Sequence, residues 1–474
     1  MTLSKDFTNR ASFQLTIHLK TAIIFGMFKR HEPKFRSTWR GFSRFFRWFV
    51  PGIGVKRWFL VLLAGITLIG TGLALFLLDV YRTAPNTWWL PIISFMSLRF
   101  LTRSWRILIF AGLGFGLIGL GIWRLNRSLL VPFLRPGQRL VDQVADYHRR
   151  ERGPRIVVIG GGHGIATVLR GLKGHTNNLT AVVSVADDGG SSGELRRSLG
   201  ILPPGDIRNC LAALSDDEAL LTQLFQYRFG EDTGLEGHSF GNLFISALSD
   251  ITGSFEEAIA ESGRALSVHG RVLPATLHNV RLVADVQLPN AQTEVRVEGE
   301  SQIPRAAGRV NRVWLEPDNP SAFPPVIQAV LAADMIVIGP GSLYTSILPN
   351  IMVGDLLEAI RSSRALKIFI ANITTQPGET DLYSSGDHIR TLEELAGSEL
   401  VDVIVCNSWY DKILENGMQW VRVDEALERD SRLYLSDLAD RLQPGNHDAV
   451  KLAQVLMDLY NERTGPIVKE QTTQ

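Results

Sequence analysis

Cysteine is almost missing from this chain. There are two in 474 residues, Cys210 and Cys406, each inside an apolar run. That excludes a disulfide framework and a cysteine zinc site, and it fits a reducing compartment. Charge of one sign is missing as well. Forty-nine Lys and Arg stand against 48 Asp and Glu, for a net charge of +1, so no basic excess points to nucleic acid. Several catalytic signatures are absent: no Walker lysine, no Ser–His–Asp order, no HExxH, no CxxC. No cleavable signal peptide is expected, because the first long apolar run lies too far in and no small-residue cleavage site follows it.

Hydrophobic residues make up 45% of the chain but are spread unevenly. Residues 1–57 are polar and basic. Between Lys29 and Arg57 nine Lys or Arg face a single acid, Glu32, with aromatics interleaved, a composition suited to a membrane surface. A transmembrane hairpin is expected over 58–123, with spans at about 58–80 and 105–123. Trp58–Leu78 has no charge in 21 residues, roughly 31 Å of helix. Ile107–Trp123 has none in 17 and carries Gly112 and Gly116 at a spacing that permits close helix packing. Trp88–Leu98, broken by Pro91, reads as interfacial. Two spans put both ends on one side, and the basic flank sets that side as cytoplasmic. The expected location is the inner or plasma membrane, with the soluble part facing the cytoplasm. Residues 124–154 read as a linker, 155–466 as a nucleotide-binding domain, and 467–474 as a polar tail.

The soluble region alternates apolar strands with helical stretches, which predicts a mostly parallel, doubly wound α/β sheet of Rossmann-like type. Strand runs are Ile156–Ile159, Ala181–Val185, Met335–Ile338, Ile368–Ile370 and Val401–Val405. Asn279–Pro317 alternates with period two and reads as an antiparallel insertion.

The chemistry gathers at predicted strand ends, where ligands of open α/β sheets collect. The first strand runs into Gly160, Gly161, Gly162, His163 and Gly164, then an amphipathic helix. Such a turn brings backbone N–H groups and a positive helix end to a phosphate; a plain tight turn is the alternative. Thr167 stands where a dinucleotide fingerprint has its third glycine, which disfavours NAD. Asp187 and Asp188 end the next strand and could hold a ribose, or Mg²⁺ through oxygen ligands. Pro203–Asn209 offers Asp206 as a helix cap and Asn209 near an anion. Gly237–Leu243 offers His238 and Asn242 as ligand contacts, with a structural role for the lone His as the bland reading. Gly339, Pro340, Gly341 and Ser342 form a second strand–glycine–helix turn. Asn372 and Thr375 crowd another strand end with amide and hydroxyl groups suited to sugar hydroxyls or a uracil edge. Two such turns in one sheet suggest a ligand with two phosphates, or a phosphate and a sugar.

Taken together, GGGHGIATVLRGLK, VADDGGSSGELR, PPGDIRN, GHSFGNL, GRVLPAT, GESQIP, GPGSLYTS and NITTQPGET closely resemble the YvcK/CofD-like family over about Arg155–Leu459. GHSFGNL and the TQPGET portion resemble its gluconeogenesis-factor branch. The resemblance implies a CofD-like fold, binding of a UDP-sugar such as UDP-N-acetylglucosamine, and a role in cell shape and envelope synthesis during gluconeogenic growth. It also implies a homodimer; no nucleic-acid partner is expected, from the balanced charge. The alternative it carries is 2-phospho-L-lactate transfer. By motif matching, the site falls on Gly160–Gly164, Asp187, Asp188, Asn209, His238, Asn242, Gly339–Ser342, Asn372 and Thr375. Three features depart from the family pattern: His163 where Thr is common, Asn446 where Arg often precedes His447-Asp448, and the N-terminal hairpin.

Overall fold

The computed structural model describes residues 149–464, apart from 216–217, 231–233, 289–292, 412–413 and 415–417; it also describes 100–130 and scattered positions between 63 and 98. The basic segment 1–57, most of the expected span 58–80, most of the linker and the tail lie outside the described residues. The chain divides into two compact units, Met1–Val131 and Pro132–Gln474.

In the first unit, the expected second span falls within a 28-residue helix, α1 (Arg103–Leu130). Among the described residues no helix is long and apolar enough to cross a membrane, so the expected hairpin is not supported.

The second unit is built on seven strands: β1 (Ile156–Gly160), β2 (Leu179–Val183), β3 (Arg271–Pro274), β7 (Met335–Ile338), β8 (Leu366–Ile370), β9 (Val403–Asn407) and β10 (Leu433–Ser436). β4 (Arg281–Gln287), β5 (Glu294–Glu298) and β6 (Arg309–Glu316) form a separate sheet. The large sheet has the order β10-β9-β8-β7-β1-β2-β3, and every pairing in it is parallel. β1, β2, β7 and β9 are buried along their whole length. That is why their sequences are unbroken apolar runs rather than alternating ones: both faces are covered. β3 is an edge strand and tolerates Pro274 for that reason. The fold is the expected α/β, Rossmann-like one.

Helices connect the strands. α2 (Gly162–Leu172) buries Ile165, Ala166, Val168, Leu169 and Leu172. The apolar residues recur every three to four positions, so one stripe meets the sheet. Each fully buried Leu or Ile there contributes about 1.5–3 kcal/mol. α3 (Gly190–Leu199) and α4 (Gly205–Leu214) follow β2, and α5 (Phe240–Thr252) is capped by the Ser239 side chain, which accepts from Asn242 N.

The insertion is antiparallel, in the order β5-β4-β6, as its period-two pattern predicts. Its return from β5 carries Gly299–Pro304 back to the large sheet, where the Ser301 N–H donates to Asp188 at 2.8 Å.

Candidate functional site

Strand order fixes where a ligand can sit. β1 leads outward through β2 to β3, whereas β7, on its other side, leads outward through β8 to β10. The connections after β1 and β7 therefore diverge and leave a crevice between them. Both connections are the glycine turns. Gly162 has φ +65, Gly339 +81 and Gly341 +156, values that disfavour any other residue.

The turns also pack against each other. A Cβ on Gly164 would lie 2.1 Å from the Pro340 carbonyl oxygen, and one on Gly160 2.7 Å from the Ile165 side chain. Gly164 is required by contact between the turns and Gly160 by the Ile165 side chain of its own segment, in addition to any approach of a phosphate. Asn350 ties the two together, donating from Nδ2 to Gly160 O at 3.1 Å and Ser346 O at 2.7 Å. Asn372 locks the second turn with two bonds. Gly341 N donates to its Oδ1 at 3.0 Å, and its Nδ2 donates to Gly341 O at 2.7 Å. Gln376 Nε2 donates to Ser342 Oγ at 2.6 Å, leaving its own Oε1 buried without a partner. Thr375 exchanges two hydrogen bonds with Gln419, N to O at 2.8 Å and Oγ1 from N at 3.1 Å.

A cleft of about 1270 Å³ opens over this junction. Of the residues expected from sequence, Gly161, Gly162, His163, Gly164, Asp187, Pro340, Gly341, Ser342, Asn372 and Thr375 line it. Gly160 and Gly339 sit immediately beneath, at the ends of β1 and β7. Burial lowers the His163 pKa, helped by Arg208 and Arg170.

Four expected residues do not line the cleft. Asp188 turns to Ser301 N. Asn209 accepts from Arg208 Nη2 at 3.1 Å, and Arg208 Nη1 reaches Ser239 Oγ at 2.5 Å. His238 Nδ1 lies 3.1 Å from Ser191 Oγ, and Asn242 Nδ2 donates to the same oxygen at 3.0 Å. These residues form a buried polar network that holds the start of α3, and with it the Asp187–Asp188 turn.

The expected Mg²⁺ pair does not converge. Asp187 accepts from Gly189 N at 2.8 Å, while the Asp188 carboxylate bonds Ser301. Among the described residues no group of three or more His, Cys, Asp or Glu is placed to hold a metal ion.

Sequence reading missed the acids at the base of the cleft. Asp206 was expected as a helix cap, but the cap position of α4 is Pro204 and Asp206 lies in the first turn of the helix. Its carboxylate faces the first glycine turn instead. Burial pushes its pKa up to about 7, reinforced by Asp187. Burial also raises Asp187 and raises Glu300 well above the carboxylate range, with neighbouring carboxylates adding to the latter. Glu379, 7% exposed, is pushed up to about 7, again by burial. Its Oε1 accepts from Thr345 Oγ1 at 3.1 Å and its Oε2 has no partner. Each of these acids sits inside a quoted motif: Asp206 in PPGDIRN, Glu300 in GESQIP, Glu379 in NITTQPGET. The motif was therefore the available signal. His447 also lines the cleft; burial drops its pKa to about 4.

A family model described as 2-phospho-L-lactate transferase CofD matches residues 156–438. A Nostoc protein is 43% identical over 439 residues, covering 88% of this chain and 93% of its own length. The gluconeogenesis factor of Bacillus subtilis is 43% identical over 318 residues, 65% of this chain and 99% of its own length. The crystal structure of a UPF0052-family protein from Bacillus halodurans superposes with a TM-score of 0.60 at 40% identity, covering 65% of this chain and 99% of that one.

Proposed function

The chain belongs to the CofD family, with relatives named gluconeogenesis factors, and on that premise we propose that it is a UDP-sugar-binding regulator. The ligand is of the UDP-N-acetylglucosamine type, and the bound state controls cell shape and envelope synthesis during gluconeogenic growth. The observation that carries this reading is that one cleft at the strand-order reversal is walled by both glycine turns and by the polar end of β8. Its volume, about 1270 Å³, is in the range of small-molecule sites or larger, and it is lined by amides and hydroxyls that suit sugar and uracil groups.

Calorimetry on the full-length chain tests it, with UDP-N-acetylglucosamine, UDP-glucose, GDP and NAD as titrants, each with and without Mg²⁺. UDP-sugar binding at micromolar to millimolar concentration is expected. No UDP-sugar binding at millimolar concentration contradicts it.

A second reading, transfer of a phosphorylated group, is supported by the family model's own description. Turnover of 2-phospho-L-lactate with a deazaflavin acceptor would favour it. Two further proposals accompany the first. The N-terminal region attaches to a membrane with the α/β region on the cytoplasmic side, supported by the uncharged run Ile107–Trp123 and by exposed Leu113, Phe115 and Leu117 on α1. Recovery of the full chain in the soluble fraction contradicts this. The chain forms a homodimer, which light scattering checks.

A further inference from the structure

β6 is an edge strand. In the order β5-β4-β6 it pairs with β4 alone, and among the described residues no strand lies on its other side. A cavity of about 1040 Å³ runs along that outer edge. Its near wall is the unbroken run Ala307–Val313. A strand that shows a face to a cavity contributes every second residue, whereas one that shows its edge contributes them all. The far wall is one side of helix α6 (Ser385–Ala396), where Asp387, Arg390, Thr391, Glu394 and Leu395 recur at helical spacing. The cavity is thus a groove between a free strand edge and a helix face.

The main chain of that edge is open to a donor. The Tyr344 hydroxyl, on the groove floor, reaches the Val310 carbonyl only at 3.4 Å, long for such a bond. An extended peptide laid along β6 brings N–H groups to carbonyls of this kind. Because a helix closes the far side, the groove has room for one strand and not for the sheet of a second copy. Its charges are also unevenly used. On the helix wall Asp387 pairs with Arg390 at 2.9 Å, and Asp381 is taken up by the Gly378 N–H at 2.7 Å. On the strand wall Arg309 and Arg312 are exposed, and neither guanidinium has an ion-pair partner; Arg312 rests over the Trp314 ring, 5.6 Å from its centroid. The strand wall therefore offers two free cations to an incoming segment.

The groove also adjoins the cleft over the glycine turns, since Glu379 borders both. Its carboxylate accepts from Thr345 Oγ1 at 3.1 Å and from the N–H groups of Tyr344 and Thr345. Those two residues belong to the helical segment Leu343–Ile347, which follows Ser342 of the second turn and places Tyr344 in the groove. A ligand that shifts Ser342 shifts the groove floor with it.

We propose that this groove takes an extended acidic segment of a partner protein as a strand added to β6, and that Glu379 and the Leu343–Ile347 segment couple its occupancy to the cleft. The coupling rests on the UDP-sugar reading above; the strand addition does not. Acidic side chains of the segment meet Arg309 and Arg312, and its backbone meets the edge of β6.

The test uses the full-length chain and fluorescein-labelled peptides in an anisotropy titration. The probes match the length of Ala307–Val313: Ac-EVEVEVE-amide, the same sequence N-methylated throughout, and Ac-KVKVKVK-amide. The acidic peptide is expected to bind saturably with a Kd below about 1 mM. The N-methylated and lysine peptides are expected to bind at least about tenfold more weakly, the first for lack of backbone donors and the second for its charge. Arg309→Glu combined with Arg312→Glu should weaken the acidic peptide at least about tenfold and leave UDP-N-acetylglucosamine binding unaltered. Thermal melts check folding, and the Gln pair serves if the Glu pair does not fold. No saturable binding of the acidic peptide overturns the proposal, and so does equal binding of its N-methylated form, which would be charge attraction without strand addition. Saturating UDP-N-acetylglucosamine should change the peptide Kd about threefold or more in wild type and not in Glu379→Ala. An unchanged Kd in wild type overturns the coupling. If the peptide binds and UDP-sugars do not, the ligand reading fails and the groove stands; if UDP-sugars bind and the peptide does not, the groove fails alone.

Discussion

The two glycine turns arise from the same sequence logic and end with different chemistry. Each follows a buried parallel strand, each needs glycine for its backbone, and each opens a short path into a helical segment. Yet the Gly160–Gly164 turn meets a carboxylate, and the Gly339–Ser342 turn meets an amide. What differs is the residue that tertiary structure brings up to them: Asp206 from α4 in one case, Asn372 from the end of β8 in the other. A glycine pattern specifies that a backbone can be approached closely. The neighbour that approaches decides the chemistry each turn presents.

The comparison breaks most severely if the turns are forced apart. Gly164→Val places side-chain atoms into the Pro340 carbonyl. We expect a loss of about 3 kcal/mol in a denaturant melt and loss of UDP-sugar binding, since overpacking of this kind costs about 1–3 kcal/mol and more where backbone is struck. A variant with wild-type stability would mean that the turns do not touch.

The next effect separates the acids by pH. Burial raises the Glu379 pKa to about 7 from its ordinary 4.5. The folded chain then holds a proton that the unfolded chain has released, so its contribution to stability is present below about pH 4.5 and is lost as pH rises through about 7. Glu379→Gln removes that titration. Wild type should lose on the order of 2 kcal/mol relative to the variant between about pH 4.5 and 7. His447, pushed down to about 4, acts in the opposite sense, its stability being lost as pH falls from its ordinary 6.5. A stability difference between wild type and Glu379→Gln that is flat with pH contradicts the assignment.

Asn372→Ala sharpens the comparison at the second turn. It removes both bonds to Gly341, at about 1–2 kcal/mol of stability, and UDP-sugar affinity should fall about tenfold. Unaltered affinity would move the phosphate away from this turn. The smallest effect is expected from Asp188→Ala, which breaks the bond to Ser301 outside the cleft. Affinity should change about twofold to threefold, because the bond lost lies outside the cleft and acts only through the loop it supports. A drop as large as that of Asn372→Ala would show that Asp188 faces the ligand.

Much of the fold was legible because it depends on local pattern. Continuous apolar runs at Ile156–Ile159 and Met335–Ile338 mark strands covered on both faces, and the alternation across Asn279–Pro317 marks the half-buried insertion. β3 escaped because Arg271–Pro274 is short, carries a charge and ends in proline, as an edge strand can. The site was legible where backbone made it, at the glycines. It was not legible where side chains meet across distance. His238 and Asn242 look like ligand contacts in the sequence, yet both bond Ser191, 47 and 51 residues away. Asp206 looked like a cap because an acid at a helix start usually is one; its true partner is a turn on α2. No local pattern encodes that contact.

The most direct test of the account is hydrogen–deuterium exchange on the full-length chain with and without saturating UDP-N-acetylglucosamine. The account predicts protection in both Gly160–Arg170 and Gly339–Ser346, with exchange in Arg281–Glu298 unchanged. Ligand binding that protects neither turn would contradict it.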